Sequence, residues 1–226
     1  MAADSLRPLR QHMVDAAQLL MRSGALSLSH GGNVSVRVPG SDQMLHTGSG
    51  SLDNLRPDQL PLLDFEGRVL KGEIAPANAA EIIQMHTLVY KHRPEAGAVV
   101  HTHSPFATSF AVAGRAMDCW YEAMVRWGMT DGVPLAHYGP HGSRMALANI
   151  AAALVSREHI RAVLLENHGI LAFGPDPMGA ARTVLVLEEA ARLALYAEGL
   201  GGARIIPPEL RRITLEQQDE FAQAGI

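Results

Sequence analysis

The stretch Ala96-Gly-Ala-Val-Val-His-Thr-His-Ser-Pro105 constrains the chain more than any other, because it sets two imidazoles two residues apart after a small apolar run. A short apolar run bounded by Gly and Pro predicts a strand. Side chains alternate faces along a strand, so His101 and His103 share one side while Val100 and Thr102 take the other. Imidazole is a common metal ligand, and two on one face need only one or two further groups to complete a three- or four-ligand shell. An amphipathic strand with two structural histidines explains the same pattern. The choice between these readings depends on whether the rest of the chain supplies a third ligand and a general base.

With 226 residues, 47% hydrophobic and 19% charged, the composition is that of an ordinary globular chain that fits one large domain better than two. The net charge of -4 and the lack of a Lys/Arg cluster argue against a nucleic-acid partner. The single cysteine, Cys119, has no intrachain disulfide partner, and the N-terminus does not read as a basic-then-apolar signal, so a cytoplasmic location is expected. The longest apolar runs are broken by Arg, Glu or Gly, which argues against a membrane span.

Leu9, Met13, Ala16, Ala17, Leu20 and Met21 recur at helical spacing, predicting a helix over 5–23 with Ser5 as cap and Gly24 as stop. Val34, Val36 and Val38 alternate after a Gly-rich turn, and Met44–Thr47 reads as their hairpin partner. A second hairpin is expected over 61–71. Pro76–Tyr90 has a helical stripe, with Asn78 as a cap and Glu81 in the first turn. Further helices are expected over 106–113 and 144–156, with a short segment at 133–138 between them. The last long helix is expected to open at Asp176-Pro177 and run to Gly199. The charged tail from Pro207 is expected to pack loosely or against a neighbouring subunit.

Three polar features stand out from this frame. The loops around Gly32-Asn33 and Ser49-Gly50 are small-residue segments whose backbone N–H groups suit an anion, although plain turns share their composition. Glu81 is favoured in a first turn by the helix dipole; it is equally a candidate base, or a ligand able to swing away from a metal. In Ala162-Val-Leu-Leu-Glu-Asn-His168-Gly-Ile-Leu-Ala-Phe-Gly174 a polar centre interrupts two apolar strand segments, and a polar interruption of a buried run needs partners. Metal ligation by His168 supplies one explanation and a simple turn another. His86 and His92 read as ordinary helix residues, while His137 and His141 read as solvated or substrate-gating loop residues.

Taken together, Gly32-Asn33-Val-Ser-Val-Arg37, the loop ending Ser49-Gly50, Glu81, His101-Thr-His103-Ser-Pro, Tyr121 and Glu166-Asn-His168-Gly resemble the class II aldolase/adducin family from about residue 8 to 200. The resemblance implies a three-layer α/β/α sandwich around a central, largely antiparallel sheet. It implies a single domain over 1–226, a homotetramer with active sites between subunits, and a small-molecule substrate. His101, His103 and His168 would hold a divalent metal, Zn2+ first and Mn2+ or Co2+ as alternatives. Glu81 would be the acid/base residue, and Tyr121 either a proton donor to a neighbouring subunit's site or an interface aromatic. Gly32, Asn33, Ser49 and Gly50 would bind phosphate or a carboxylate.

The expected reaction is C–C cleavage of a ketose phosphate or related hydroxy-ketone through a metal-stabilised enediolate. Two departures from the sugar-phosphate aldolases of the family stand in the sequence. Asn78-Ala79-Ala80 replaces a serine pair before the glutamate, and Glu81 lies one residue further from the His-x-His pair. A decarboxylase or dehydratase is therefore the alternative, and a non-catalytic adducin-like module the third.

Overall fold

The computed structural model describes residues 5–49, 51–74, 79–140 and 142–224, except for the side chains of 79–81 and 221–224. The expected helix start at Pro76 with its Asn78 cap, Gly50, His141 and the side chain of Glu81 lie outside the described residues.

Among the described residues, eight strands form one sheet in the order β4-β3-β2-β1-β5-β8-β7-β6. They are β1 (Gly32–Arg37), β2 (Gln43–His46), β3 (Leu62–Asp64), β4 (Val69–Lys71), β5 (Ala98–Thr102), β6 (Leu135–Ala136), β7 (Ala162–Leu165) and β8 (Gly169–Gly174). Every neighbouring pair is antiparallel except β6–β7. The helices are α1 (Arg7–Ser23), α2 (Ala79–His92), α3 (Pro105–Val112), α4 (Glu122–Arg126), α5 (Arg144–Val155), α6 (Pro177–Glu198) and α7 (Pro208–Ala224). This is an α/β/α sandwich with a largely antiparallel sheet, as the sequence led us to expect.

Burial divides the molecule into two cores, one on each face of the sheet. Val34, Val36, Leu45 and Val100 pack against Met13 and Leu20 of α1, Phe110 of α3 and Val184 of α6. On the opposite face, Val99, Leu171 and Phe173 pack against Met85 and Val89 of α2 and Ile150 and Leu154 of α5. The central strands β5, β7 and β8 are buried on both faces, and their nearly continuous apolar runs follow from that.

Several helix ends follow their local chemistry. Asp176 caps α6 by accepting a bond from the Gly179 N–H at 2.8 Å. Gly24 closes α1 in the left-handed conformation, φ 73°. Ser5 does not cap α1: the N-cap is Leu6, without a side-chain bond, and a proline in the first turn starts the helix instead. The tail is more ordered than its charge suggested. It forms α7, and Arg211 ties it down by donating from Nε to Ile206 O at 2.6 Å and from Nη1 to Thr130 O.

Candidate metal centre

Two separate segments bring the three imidazoles together. His101 is the last residue but one of β5, which is buried throughout, and His103 is the first residue beyond the strand. His168 comes from the three-residue hairpin Glu166–His168 between β7 and β8. In that turn Asn167 takes φ 58°, a left-handed conformation that asparagine tolerates better than most residues. The His168 N–H closes the turn on Leu165 O at 2.9 Å. Register does the rest: Leu165 pairs with Gly169, and Ile170 pairs with Thr102. The hairpin tip therefore lies beside the end of β5.

The three ring centroids are 4.9, 4.7 and 5.1 Å apart, and one nitrogen from each ring falls within 4.8 Å of the others. This close approach requires glycine nearby. A Cβ on Gly169 would lie 2.5 Å from Thr102 O and 2.8 Å from His103 Cδ2, and one on Gly31 would lie 3.1 Å from His103 Nδ1.

The chemistry of these rings fits a metal ion. Ile170 O lies 2.8 Å from His101 Nδ1, and a carbonyl only accepts, so Nδ1 carries the proton and Nε2 keeps its lone pair. Among the described residues, the buried His103 Nε2 finds no hydrogen-bond partner. A buried nitrogen without a partner is costly unless something outside the polypeptide meets it. Burial pushes the pKa of His101 well below the ordinary imidazole value, and His168 and His103 lower it further against an opposing effect of Ile170 O. Burial also lowers His103. Neutral imidazoles at physiological pH are the form that binds a metal.

The other expected site residues are placed as follows. Asn33 is buried and pairs directly with His101 across β1 and β5, so the two side chains share the face toward α2. Gly32 faces His101 O, which a Cβ would approach to 2.7 Å, so close strand packing alone accounts for this glycine. The two small-residue loops meet, through a bridge between Gly31 and Ser51 and a bond from Leu52 N–H to His30 O at 3.4 Å. The Ser49 hydroxyl donates within its loop to Ser51 O at 3.0 Å, leaving its lone pairs outside that bond. The backbone of Glu81 stands in the first turn of α2, on the metal-site side of the sheet.

Tyr121 is the residue that the chain does not bring to the histidines. It precedes α4 and packs on the α1/α3/α6 core, and the negative charge of Glu189 raises its phenol pKa. The histidines face the other way. A cleft of about 240 Å³ opens beside His168, lined by Met85, Leu147, Ile150 and Leu165. His137 also borders this cleft; its Nδ1 lies 3.5 Å from Glu166 Oε2, which in turn accepts from the Tyr138 N–H at 2.6 Å.

Sequence reading missed His86. This α2 residue is fully buried, with Nε2 at 2.6 Å from Asn33 Oδ1 and Nδ1 at 2.7 Å from Ser35 Oγ. The available signal was its position on the apolar stripe of α2 together with the polar alternation Asn33, Ser35, Arg37 in β1.

Known proteins resemble this chain in sequence and in fold. The chain is 30% identical over 210 residues to a 5-methylthioribulose-1-phosphate/5-deoxyribulose-1-phosphate aldolase of Rhodospirillum rubrum, covering 92% of this chain and 90% of that one. It is 26% identical to the L-ribulose-5-phosphate 4-epimerase UlaF of Salmonella paratyphi B, over 88% and 89% of the two chains. A solved L-fuculose 1-phosphate aldolase superposes with a TM-score of 0.82 at 28% identity, over 97% and 98% of the two chains. Residues 11–195 match the Class II Aldolase and Adducin N-terminal domain, a span that holds both strands of the histidine site and the helices on either side of it. With that match added to the converging imidazoles and the layered sheet, the chain belongs to the class II aldolase and adducin family.

Proposed function

We propose that this protein is a divalent-metal-dependent aldolase that cleaves a C–C bond in a ketose phosphate or related hydroxy-ketone, with Zn2+ as the first candidate ion. The convergence of His101, His103 and His168 carries this reading. An ion held by these three imidazoles would keep coordination positions for a substrate's hydroxyl and carbonyl oxygens. When bound, the cation polarises the carbonyl and stabilises the negative charge that develops on oxygen as the bond breaks.

The protein's own groups do the remainder. Glu81, in the first turn of α2, is the candidate to move the proton. Asn33 and the Ser49–Gly50 loop are the candidates to hold the substrate's anionic end. The apolar cleft beside His168 suits a substrate with a deoxy or otherwise apolar far end. The Rhodospirillum relative, named for a 5-deoxyribulose phosphate, supports that choice.

Tyr121 lies on the opposite layer from the histidines, which supports a role at a neighbouring subunit's site in a homotetramer. Co-assembling Tyr121→Phe with His103→Ala chains should restore part of the activity that each lacks; mixtures no better than the separate variants would remove Tyr121 from a shared site. A cytoplasmic location agrees with the single cysteine, and no described helix is long and apolar enough to cross a membrane.

Product analysis tests the reaction. The Zn2+-loaded protein incubated with 5-deoxyribulose 1-phosphate should release an aldehyde and a three-carbon ketone phosphate. Asn78-Ala79-Ala80 favours a second reading, a decarboxylase or dehydratase acting on a carboxylated or non-phosphorylated substrate. Release of carbon dioxide or water without an aldehyde would sink the aldolase reading in its favour.

A further inference from the structure

Strand β1 turns Asn33, Ser35 and Arg37 toward α2, and all three end on groups of that helix. Arg37 donates from Nη2 to Tyr90 O at 2.9 Å, and its guanidinium lies 4.9 Å from the Tyr90 ring centroid. Ser35 Oγ lies 2.7 Å from both Tyr90 Oη and His86 Nδ1. His86 Nε2 lies 2.6 Å from Asn33 Oδ1.

The protons in this row have one consistent direction. The Tyr90 ring is buried, so its O–H needs an acceptor, which Ser35 Oγ provides. The Ser35 hydroxyl then donates to His86 Nδ1, and the single proton of the neutral imidazole sits on Nε2 and is donated to Asn33 Oδ1. Reversing the row would leave the tyrosine proton orphaned in the core. Burial, with His46 and His101 beside it, keeps His86 neutral.

The amide oxygen of Asn33 is thus held in the core, and among the described residues its NH2 group makes no hydrogen bond and is not counted among the buried unpaired atoms. Asn33 also faces His101 across the strand pair. We propose that His86 is a positioning residue that holds Asn33 Oδ1 so that the amide NH2, a donor, is presented to the anionic end of the substrate. This proposal rests on the reading of Asn33 as part of an anion cradle. The row works as a latch on orientation: without it, the amide is free to turn its oxygen, a repulsive group, toward the anion.

The test is calorimetric titration of the Zn2+-loaded protein with inorganic phosphate, alongside Zn2+ stoichiometry and melting temperature. Asn33→Ala and His86→Leu should each weaken phosphate roughly ten- to hundredfold, the range for a hydrogen bond to a charged group. The double variant should lose no more than either single one. Zn2+ stoichiometry should stay at the wild-type value throughout. His86→Gln, whose amide N–H can stand near the position of Nε2, should recover most of the affinity. Ser35→Ala, which frees the imidazole to take its other tautomer, should weaken phosphate to an intermediate degree, and it decides the matter if His86→Leu fails to fold.

Wild-type phosphate affinity in the His86 or Ser35 variants, with Asn33→Ala impaired, would overturn the proposal. So would losses that multiply in the double variant. Phosphate binding that is absent in the wild type, or insensitive to Asn33→Ala, would overturn it by removing the cradle. The aldolase reading is judged separately, by the products formed from a ketose phosphate.

Discussion

The two faces of the sheet are built from the same strands and differ in what they bury. Toward α1, α3 and α6, β1, β2 and β5 present Val34, Val36, Leu45, Ala98 and Val100, an apolar surface that asks only for matching volume. Toward α2 they present Asn33, Ser35, His46 and His101, all of them buried. A buried polar side chain is tolerated when its hydrogen bonds are met, and most of this row is met by His86, Tyr90 and Ile170 O. Two nitrogens on this side are informative: among the described residues, His46 Nε2 in the row and His103 Nε2 just beyond β5 are buried without partners, the latter in the histidine cluster. One face thus holds the fold together by volume, and the other commits part of its burial to chemistry.

Removing a ligand tests the chemical face most severely. His103→Ala should abolish activity and most metal binding while the fold survives; near-normal metal content by atomic absorption would refute the ligand assignment. Glu81→Gln should retain the metal and lose roughly 10²- to 10⁴-fold in turnover, the usual contribution of a general acid/base. Unchanged kinetics would take Glu81 out of the mechanism.

The apolar face should respond in the opposite way. Leu45→Ala opens a cavity against α1 and should cost about 2–5 kcal/mol in urea unfolding, with metal affinity retained. A large loss of metal affinity with little loss of stability would break the division between the faces.

The smallest effect concerns pH. Burial pushes His46 from 6.5 down to about 4, and lowers His86 and His101 in the same direction. Below about pH 6.5 the unfolded chain takes up protons that the folded chain refuses, so this stability is present above 6.5 and lost as pH falls toward 4. For His46 alone the loss between pH 7 and 5 is on the order of 2 kcal/mol. Urea unfolding of metal-free protein at the two pH values should show the fall, and His46→Leu should reduce it; equal sensitivity in that variant would acquit His46.

Much of this was legible along the chain because strand and helix periods are local. Alternation at Val34 and Val36, the Asp176-Pro177 helix start and the glycine stop at Gly24 each follow from a few neighbouring residues. The His-x-His pair and the interrupted run around His168 stood out because polar groups in apolar runs need a reason. His86 did not stand out. On a helix stripe it looks like any amphipathic residue, and its partners Asn33 and Ser35 are 53 and 51 positions away. The ordered tail was likewise hidden, since its anchor is the Thr130 carbonyl, 81 residues from Arg211.

By itself the sequence determined which segments form strands and helices, which faces are apolar, and that three histidines are available to one ion. Those properties depend on near neighbours and on the chemistry of single side chains. Only the tertiary structure decided that the hairpin tip at His168 meets the end of β5, that Gly31 and Gly169 make room for the rings, that Tyr121 lies on the far layer, and that His86 holds Asn33. Each of these depends on strand order and register, which are fixed by burying both faces of the sheet at once, and no local pattern carries that information.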